Sequence, residues 1–227
     1  MPAFQYMSTA ARAAGSPATR LRHLLILDIE ATCGDPPGPV VPRNEMEIIE
    51  LPTLLYDIEQ DQVKATFHEY VRPVRHPTLT KFCTDLTGIE QSTVDAADTF
   101  PIVWERYQEF LREHGAIQDP ESVAYLTCGD WDLKIMLPLQ LHLSGTQVGL
   151  DPSTGALAPP YNRWINVKKS FQRLHGLKNP RGMAGMLRHA NMELEGRHHS
   201  GIDDCKNILR VVQRMRQDGW EPSDDLP

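Results

Sequence analysis

The chain has 227 residues, a formal net charge of −7, 41% hydrophobic residues and 23% charged residues. That length fits one ordinary domain with a full core, and the composition is that of a soluble globular protein. No apolar run approaches membrane-spanning length. The cysteines, Cys33, Cys83, Cys128 and Cys205, are widely spaced without a Cys-x-x-Cys pair, which excludes a zinc ribbon and a disulfide framework and favours a reducing compartment.

The first twenty-two residues are rich in alanine, carry Arg12, Arg20 and Arg22, and contain no acid. They read as a flexible tail, with an organelle transit peptide as the alternative. Residues 23–30 read as a buried strand ending in Asp28 and Glu30. A spacing of two on a strand sets both carboxylates on one face, where they repel each other unless a cation lies between them. An all-oxygen site suits Mg2+ or Mn2+, although Asp-x-Glu alone also describes two solvated acids at a strand end. Residues 33–43, rich in Pro and Gly, form a loop. Glu47 to Tyr56 and Val63 to Val71 read as strands of a hairpin turning near Gln60 and Asp61. A short helix is predicted from Thr80 to Leu86 and an amphipathic one from Thr99 to His114, with Pro101 near its start.

Ser122 to Thr127 reads as a strand. A helix follows from Trp131 to Leu143, interrupted or bent near Pro138. Gly149 to Pro160 is a loop, and the basic stretch after it carries short helices. In the last helix, Ile202, Cys205, Ile208, Leu209, Val212 and Met215 keep helical spacing to Gln217. Ser200 or Gly201 marks its start, so Asp203 and Asp204 fall in the first turn and His198 and His199 on the loop before it. Acids there are also what a helix dipole favours. A neutral imidazole on that loop could take a proton from a bound water. Residues from Asp218 onward read as a loose tail.

Taken together, these segments resemble the DEDDh 3′-to-5′ exonucleases, the superfamily of polymerase proofreading domains and RNase T. Within it the chain is similar to the histone-mRNA 3′ exonuclease (enhanced RNAi) group, on the branch that includes the prion-protein-interacting exonuclease. The resemblance runs from about His23 to about Gly219. It is carried by Asp-Ile-Glu-Ala-Thr-Cys, Glu-Ile-Ile-Glu-Leu-Pro, Phe-Cys-Thr-Asp-Leu-Thr-Gly-Ile, Thr-Cys-Gly-Asp-Trp-Asp-Leu-Lys, Arg-Trp-Ile-Asn-Val-Lys-Lys and His-Ser-Gly-Ile-Asp-Asp-Cys-Lys-Asn-Ile. Ile29 stands where the family usually has Phe, and His198 where it often has Pro.

The resemblance implies an α/β, RNase H-like fold with a central mixed sheet flanked by helices. It implies a flexible tail at 1–22, an exonuclease domain at 23–219 and a C-terminal tail at 220–227. It implies Asp28, Glu30, Asp132 and Asp204 as ligands of two Mg2+ or Mn2+ ions, with His199 as the general base. Asp130 and Asp203 are rival ligands that the family pattern sets aside. Phe82 and Trp131 would sandwich the terminal base, a contact that tolerates any base, although aromatic residues are also ordinary core. Ala31 and Thr32 would meet the 3′ hydroxyl through backbone atoms, and Leu86 and Thr87 would border the pocket.

The implied substrate is a single-stranded RNA 3′ end, with single-stranded DNA as an alternative and a non-catalytic RNA-binding adaptor as a second. The group's SAP-type nucleic-acid module has no counterpart in these residues, so single-stranded ends fit better than stem-loops. An acidic chain is unusual for such a partner. The acids, however, concentrate between Asp28 and Asp61. Bases concentrate between Arg163 and Arg197, where Lys168 and Lys169 would hold the phosphate backbone. The expected setting is intracellular, in the cytoplasm or nucleus, unless the N-terminal segment directs organelle import. The sequence names no protein partner.

Overall fold

Strand β1 (His23–Leu27) is an unbroken apolar run because helices cover both of its faces. Leu25 and Leu27 enter one core with Trp104, Tyr107, Leu133 and Leu137, while Leu24 and Ile26 enter another with Phe171, Met186, Ile208 and Val212. The computed structural model describes residues 21–226, so the expected behaviour of residues 1–20 lies outside the described part.

β1 is followed by β2 (Glu30–Ala31), β3 (Ile48–Asp57) and β4 (Gln62–Tyr70), then by β5 (Val123–Thr127) and β6 (Trp164–Asn166). They form one mixed sheet in the order β2-β3-β1-β5-β6, with β4 also paired to β3. β1 is antiparallel to β3 and parallel to β5, and β5 is parallel to β6. The helices are α1 (Lys81–Thr87), α2 (Gln91–Asp95), α3 (Phe100–Glu113), α4 (Leu137–Leu143), α5 (Val167–Leu174), α6 (Met183–His189) and α7 (Gly201–Gln217). Residues of α3 and α4 fill the first core and those of α5, α6 and α7 the second. This is the expected α/β arrangement.

Four local features differ from the sequence reading. The first strand is split between Leu27 and Glu30. Leu27 pairs with Thr53 and Glu30 with Glu50, so Asp28 and Ile29 fall opposite Pro52 and Leu51 in an otherwise continuous register. Pro52 has no N–H to give the ladder, so pairing lapses opposite Asp28; the Ile29 N–H donates to Asp132 Oδ1 at 2.9 Å. The helix expected from Trp131 begins as a π-helical turn, Asp132–Met136. Pro138 cannot donate one turn back to Lys134, and such turns often accompany functional sites.

The basic stretch contributes the short strand β6 as well as helices. The segment after Asp218, expected to be a loose tail, folds back on the domain. Trp220 is 4% exposed in the second core, and its indole N–H donates to Asp225 at 2.8 Å. Asp225 in turn pairs with Arg173 on α5. The buried Trp220 and Pro222, the packed Leu226 and the Asp225 contacts hold a segment that shows no periodicity.

Candidate active site

Three separate pieces of the chain place four acids at one cleft of about 320 Å3. Asp28 stands at the end of β1, Glu30 on β2, Asp132 at the start of the π-helical turn and Asp204 in the first turn of α7. One oxygen from each of Asp28, Glu30 and Asp204 lies within 4.8 Å of the others. Asp132 stands on the wall with Oδ1 committed to the Ile29 N–H. Glu30, Asp132 and Asp204 are buried and Asp28 is half-buried.

Burial pushes all of these carboxyls upward, and repulsion from neighbouring carboxyls adds to the shift at Asp28, Glu30 and Asp204. Burial raises Glu30 to about 9, with Glu50, Asp204 and Asp132 adding to the shift. Burial also raises Asp132 and Asp204 to about 6. Asp28 goes well above the ordinary carboxylate range for the same reason, reinforced by Asp132 and Asp204. Asp204 Oδ1 is buried and has no hydrogen-bond partner among the described residues. An orphaned acceptor facing other carboxylates, all of them hard oxygen donors, fits a divalent cation.

His199 sits on the loop before α7 with φ +65°, an uncommon conformation for a non-glycine residue. Its backbone N–H donates to Asp204 Oδ2 at 2.9 Å, so the acid that faces the cleft also fixes this turn. Its imidazole is pushed below its ordinary value by burial first, then by His198 and Arg197. The His198 and His199 rings stack with centroids 3.9 Å apart. Arg197 Nη2 donates to the Asp85 carbonyl at 2.5 Å and thereby ties this loop to α1.

The structure brings together most of the expected site. Ala31, Leu86 and Trp131 line the cleft with the acids and His199. Phe82 and Trp131 are 41% and 38% exposed, so neither belongs to the core; Trp131 lines the cleft, whereas Phe82 is not among its lining residues. Thr32 and Thr87 are buried behind the wall: Thr32 Oγ accepts from the Glu47 N–H, and Thr87 Oγ donates to the Cys83 carbonyl.

The two lysines diverge. Lys168 Nζ packs over Gly129 and its charge bears on Asp132, whereas Lys169 pairs with Asp130 at 2.8 Å. Arg163 and Arg173 are likewise paired, with Glu121 and Asp225, so the basic stretch is not one free surface. Asp130 serves Trp164, Asn166 and Lys169, and Asp203 serves the Arg197 N–H and Lys206, which accounts for both rival acids.

Sequence reasoning did not anticipate that Cys33, Met46, Cys128 and Met183 also line the cleft, or that Glu50 stands beside Glu30 and Asp204. Cys33 and Cys128 lie in quoted motifs near the ligand positions, and Glu50 too had a legible signal. It lies in the quoted Glu-Ile-Ile-Glu-Leu-Pro motif, but its role depends on strand register.

A mixed sheet with helices on both faces and four acids converging on one cleft is the arrangement of the RNase H-like class. Comparison with known proteins gives the family. The family described as exonuclease, RNase T, matches residues 25–212. Mouse (Mus musculus) ERI1 exoribonuclease 3 is 39% identical over 204 residues, covering 90% of this chain and 56% of that protein. The 3′-5′ exonuclease eri1 of Schizosaccharomyces pombe is 34% identical over 222 residues, covering 89% of this chain and 71% of that protein. The crystallographic structure of the nuclease domain of 3′hExo, a DEDDh family member bound to rAMP, superposes with a TM-score of 0.73 at 34% identity. It covers 88% of this chain and 94% of that domain. The chain belongs to the DEDDh exonuclease family. It spans about half the length of the mammalian ERI1 exoribonuclease 3 relatives.

Proposed function

We propose that this protein is a 3′-to-5′ exoribonuclease that removes nucleoside 5′-monophosphates from single-stranded RNA ends, in RNA processing or decay. The observation that carries the reading is the convergence of Asp28, Glu30, Asp132 and Asp204 on one cleft beside His199. These four residues would hold two Mg2+ or Mn2+ ions, which when bound supply Lewis acidity and neutralise charge on the phosphodiester. The RNA preference is supported by the relatives named exoribonucleases and by the ribonucleotide in the 3′hExo domain.

His199 acts as the general base. Its lowered pKa keeps the imidazole neutral near pH 7, able to accept a proton from the attacking water. The Asp204 carboxylate holds the backbone of that residue and so fixes where the ring stands. Phe82 and Trp131 stack on the terminal base without selecting its identity. Ala31 lies at the cleft floor, where its backbone meets the 3′ hydroxyl and admits only a chain end. Lys168 lies beside Asp132, where its charge steadies the incoming phosphate backbone. The setting is intracellular, in the cytoplasm or nucleus, a reading supported by four cysteines that are all free thiols.

The test is a side-by-side digestion of matched RNA and DNA single strands with Mg2+ or EDTA. Release of 5′-monophosphates from RNA with Mg2+ only is expected, with strands bearing a 3′ phosphate resisting. Faster DNA digestion would make the protein a DNA exonuclease. RNA binding without hydrolysis would make it an adaptor, and cleavage of circular RNA an endonuclease.

A further inference from the structure

We propose that Glu50 is a positioning residue of this centre: it anchors the amino end of α7 to the sheet and thereby holds Asp204 and His199 in register with Asp28 and Glu30. Its kinetic consequences rest on the exonuclease reading, whereas its structural consequences do not.

Glu50 lies on β3 and is 1% exposed. Its Oε2 accepts the Gly201 N–H at 2.9 Å, and its Oε1 accepts the Ile202 N–H at 3.1 Å. Those are the first two amides of α7. A helix start has orphaned N–H groups that usually find a local side chain, yet Ser200, at the N-cap position, makes no side-chain capping bond. The cap is supplied instead from β3, 151 residues earlier in the chain. His68 on the edge strand β4 completes the arrangement by donating Nε2–H to Oε1 at 2.8 Å. Three donors therefore converge on this one carboxylate.

The contact leads directly to the site. A Cβ at Gly201 would stand 2.6 Å from the Asp28 carbonyl oxygen and 2.9 Å from Pro52 Cγ, so the helix start is pressed against the end of β1 and only glycine fits. Two residues on from Ile202, Asp204 presents its orphaned Oδ1 to the acid cluster and grips the His199 N–H with Oδ2. Glu50 thus reaches both Asp204 and His199 through one turn of helix. Its charge has the opposite effect, raising Glu30 and Asp204 by repulsion. A fifth carboxylate beside four others is a poor choice for packing, since an apolar residue of similar volume would avoid the repulsion. The geometry it imposes on α7 is what compensates.

The experiment uses the full chain with Glu50→Gln and, as a milder variant that stays on the half-exposed edge, His68→Ala. Three quantities are read: hydrogen exchange of the first turn of α7 in metal-free protein, Mn2+ affinity by calorimetry, and kcat and KM on single-stranded RNA at saturating Mg2+. Folded Glu50→Gln is expected to exchange faster at Gly201 and Ile202 and to lose roughly 10- to 100-fold in Mn2+ affinity, the usual scale for a residue that orients a ligand. Its kcat should stay at least about 10-fold low even when metal is saturating, with KM little changed. His68→Ala should shift exchange and Mn2+ affinity the same way by a smaller factor.

Wild-type exchange and affinity in folded Glu50→Gln would overturn the proposal. So would tighter Mn2+ binding in His68→Ala, because loosening the carboxylate that caps α7 can only weaken the ligand set. Should the wild-type protein fail to trim RNA, the exonuclease reading falls, while exchange and Mn2+ affinity still decide the role of Glu50.

Discussion

Two groups of acids in this protein are held in opposite ways. Glu47, 4% exposed, accepts the N–H groups of Val74, Arg75 and His76 at 2.6–3.1 Å. Its neighbour Glu50 is equally well supplied by α7 and His68. Asp28, Glu30 and Asp204 face one another, and Asp204 Oδ1 has no partner among the described residues. Burial alone therefore does not mark a ligand. Carboxylates that already have their donors are structural, and those left facing each other are the ones poised for a cation.

The largest expected effect separates these groups outright. Asp28→Asn or Asp204→Asn should abolish hydrolysis, yet should raise the melting temperature of the metal-free protein by relieving repulsion. Near-wild-type rates in either folded variant would end the divalent-cation reading. Glu47→Gln should do the reverse, keeping hydrolysis while lowering stability by about 1–3 kcal/mol through donors left unmatched. Chemical denaturation alongside an activity assay distinguishes the two.

His199→Ala should lower turnover by roughly 100-fold or more, the scale of a lost general base, with little change in RNA affinity. His198→Ala should leave turnover nearly intact despite the ring stack, so swapped phenotypes would reassign the base.

Stability against pH sharpens the comparison further. The cleft acids have raised folded-state values, about 6 for Asp132 and Asp204 and about 9 for Glu30. An unfolded carboxyl releases its proton near pH 4. The folded metal-free protein therefore binds more protons than the unfolded chain above that pH. Their contribution to stability is present at and below pH 4 and is lost as pH rises through 6 and toward 9. Melting in EDTA should decline from pH 5 to pH 9, and saturating Mn2+ should close most of the gap. A flat profile in EDTA would mean the acids do not repel as described.

Smaller effects belong to the substrate path. Trp131→Ala should weaken binding of the last nucleotide by about 1–3 kcal/mol, a stacking loss that salt screens little. Lys168→Ala should reduce the slope of log affinity against log salt by about 1. Lys169→Ala should leave that slope unchanged, because this lysine is taken by Asp130. Binding to a short single-stranded RNA across a salt series, with Ca2+ in place of Mg2+, checks all three.

Much of this was legible in the sequence. The apolar run before Asp28, the hairpin strands, the short helix beginning near Thr80, Pro101 in the first turn of α3 and the 3.6-residue spacing of α7 are local signals, and each matched an element. The four acids and His199 were readable because their residue types and order matched a known constellation. Exposure of Phe82 and Trp131 was not readable, since the same aromatic residues could have been core.

What the tertiary structure decided depends on register and long-range contact. Pro52 breaks the ladder opposite Asp28, and the Ile29 N–H finds Asp132 across 103 residues of chain. Lys168 and Lys169 are adjacent in sequence but have different neighbours once α5 is packed. Trp220 turns an unpatterned tail into part of the core. Glu50 shows the distinction within one motif: the sequence by itself placed an acid two residues before a strand proline, but its bonds to Gly201 and Ile202 exist only once β3 meets α7. Local periodicity is written in neighbouring residues, whereas the partner of a buried polar group is chosen by the packing of the whole chain.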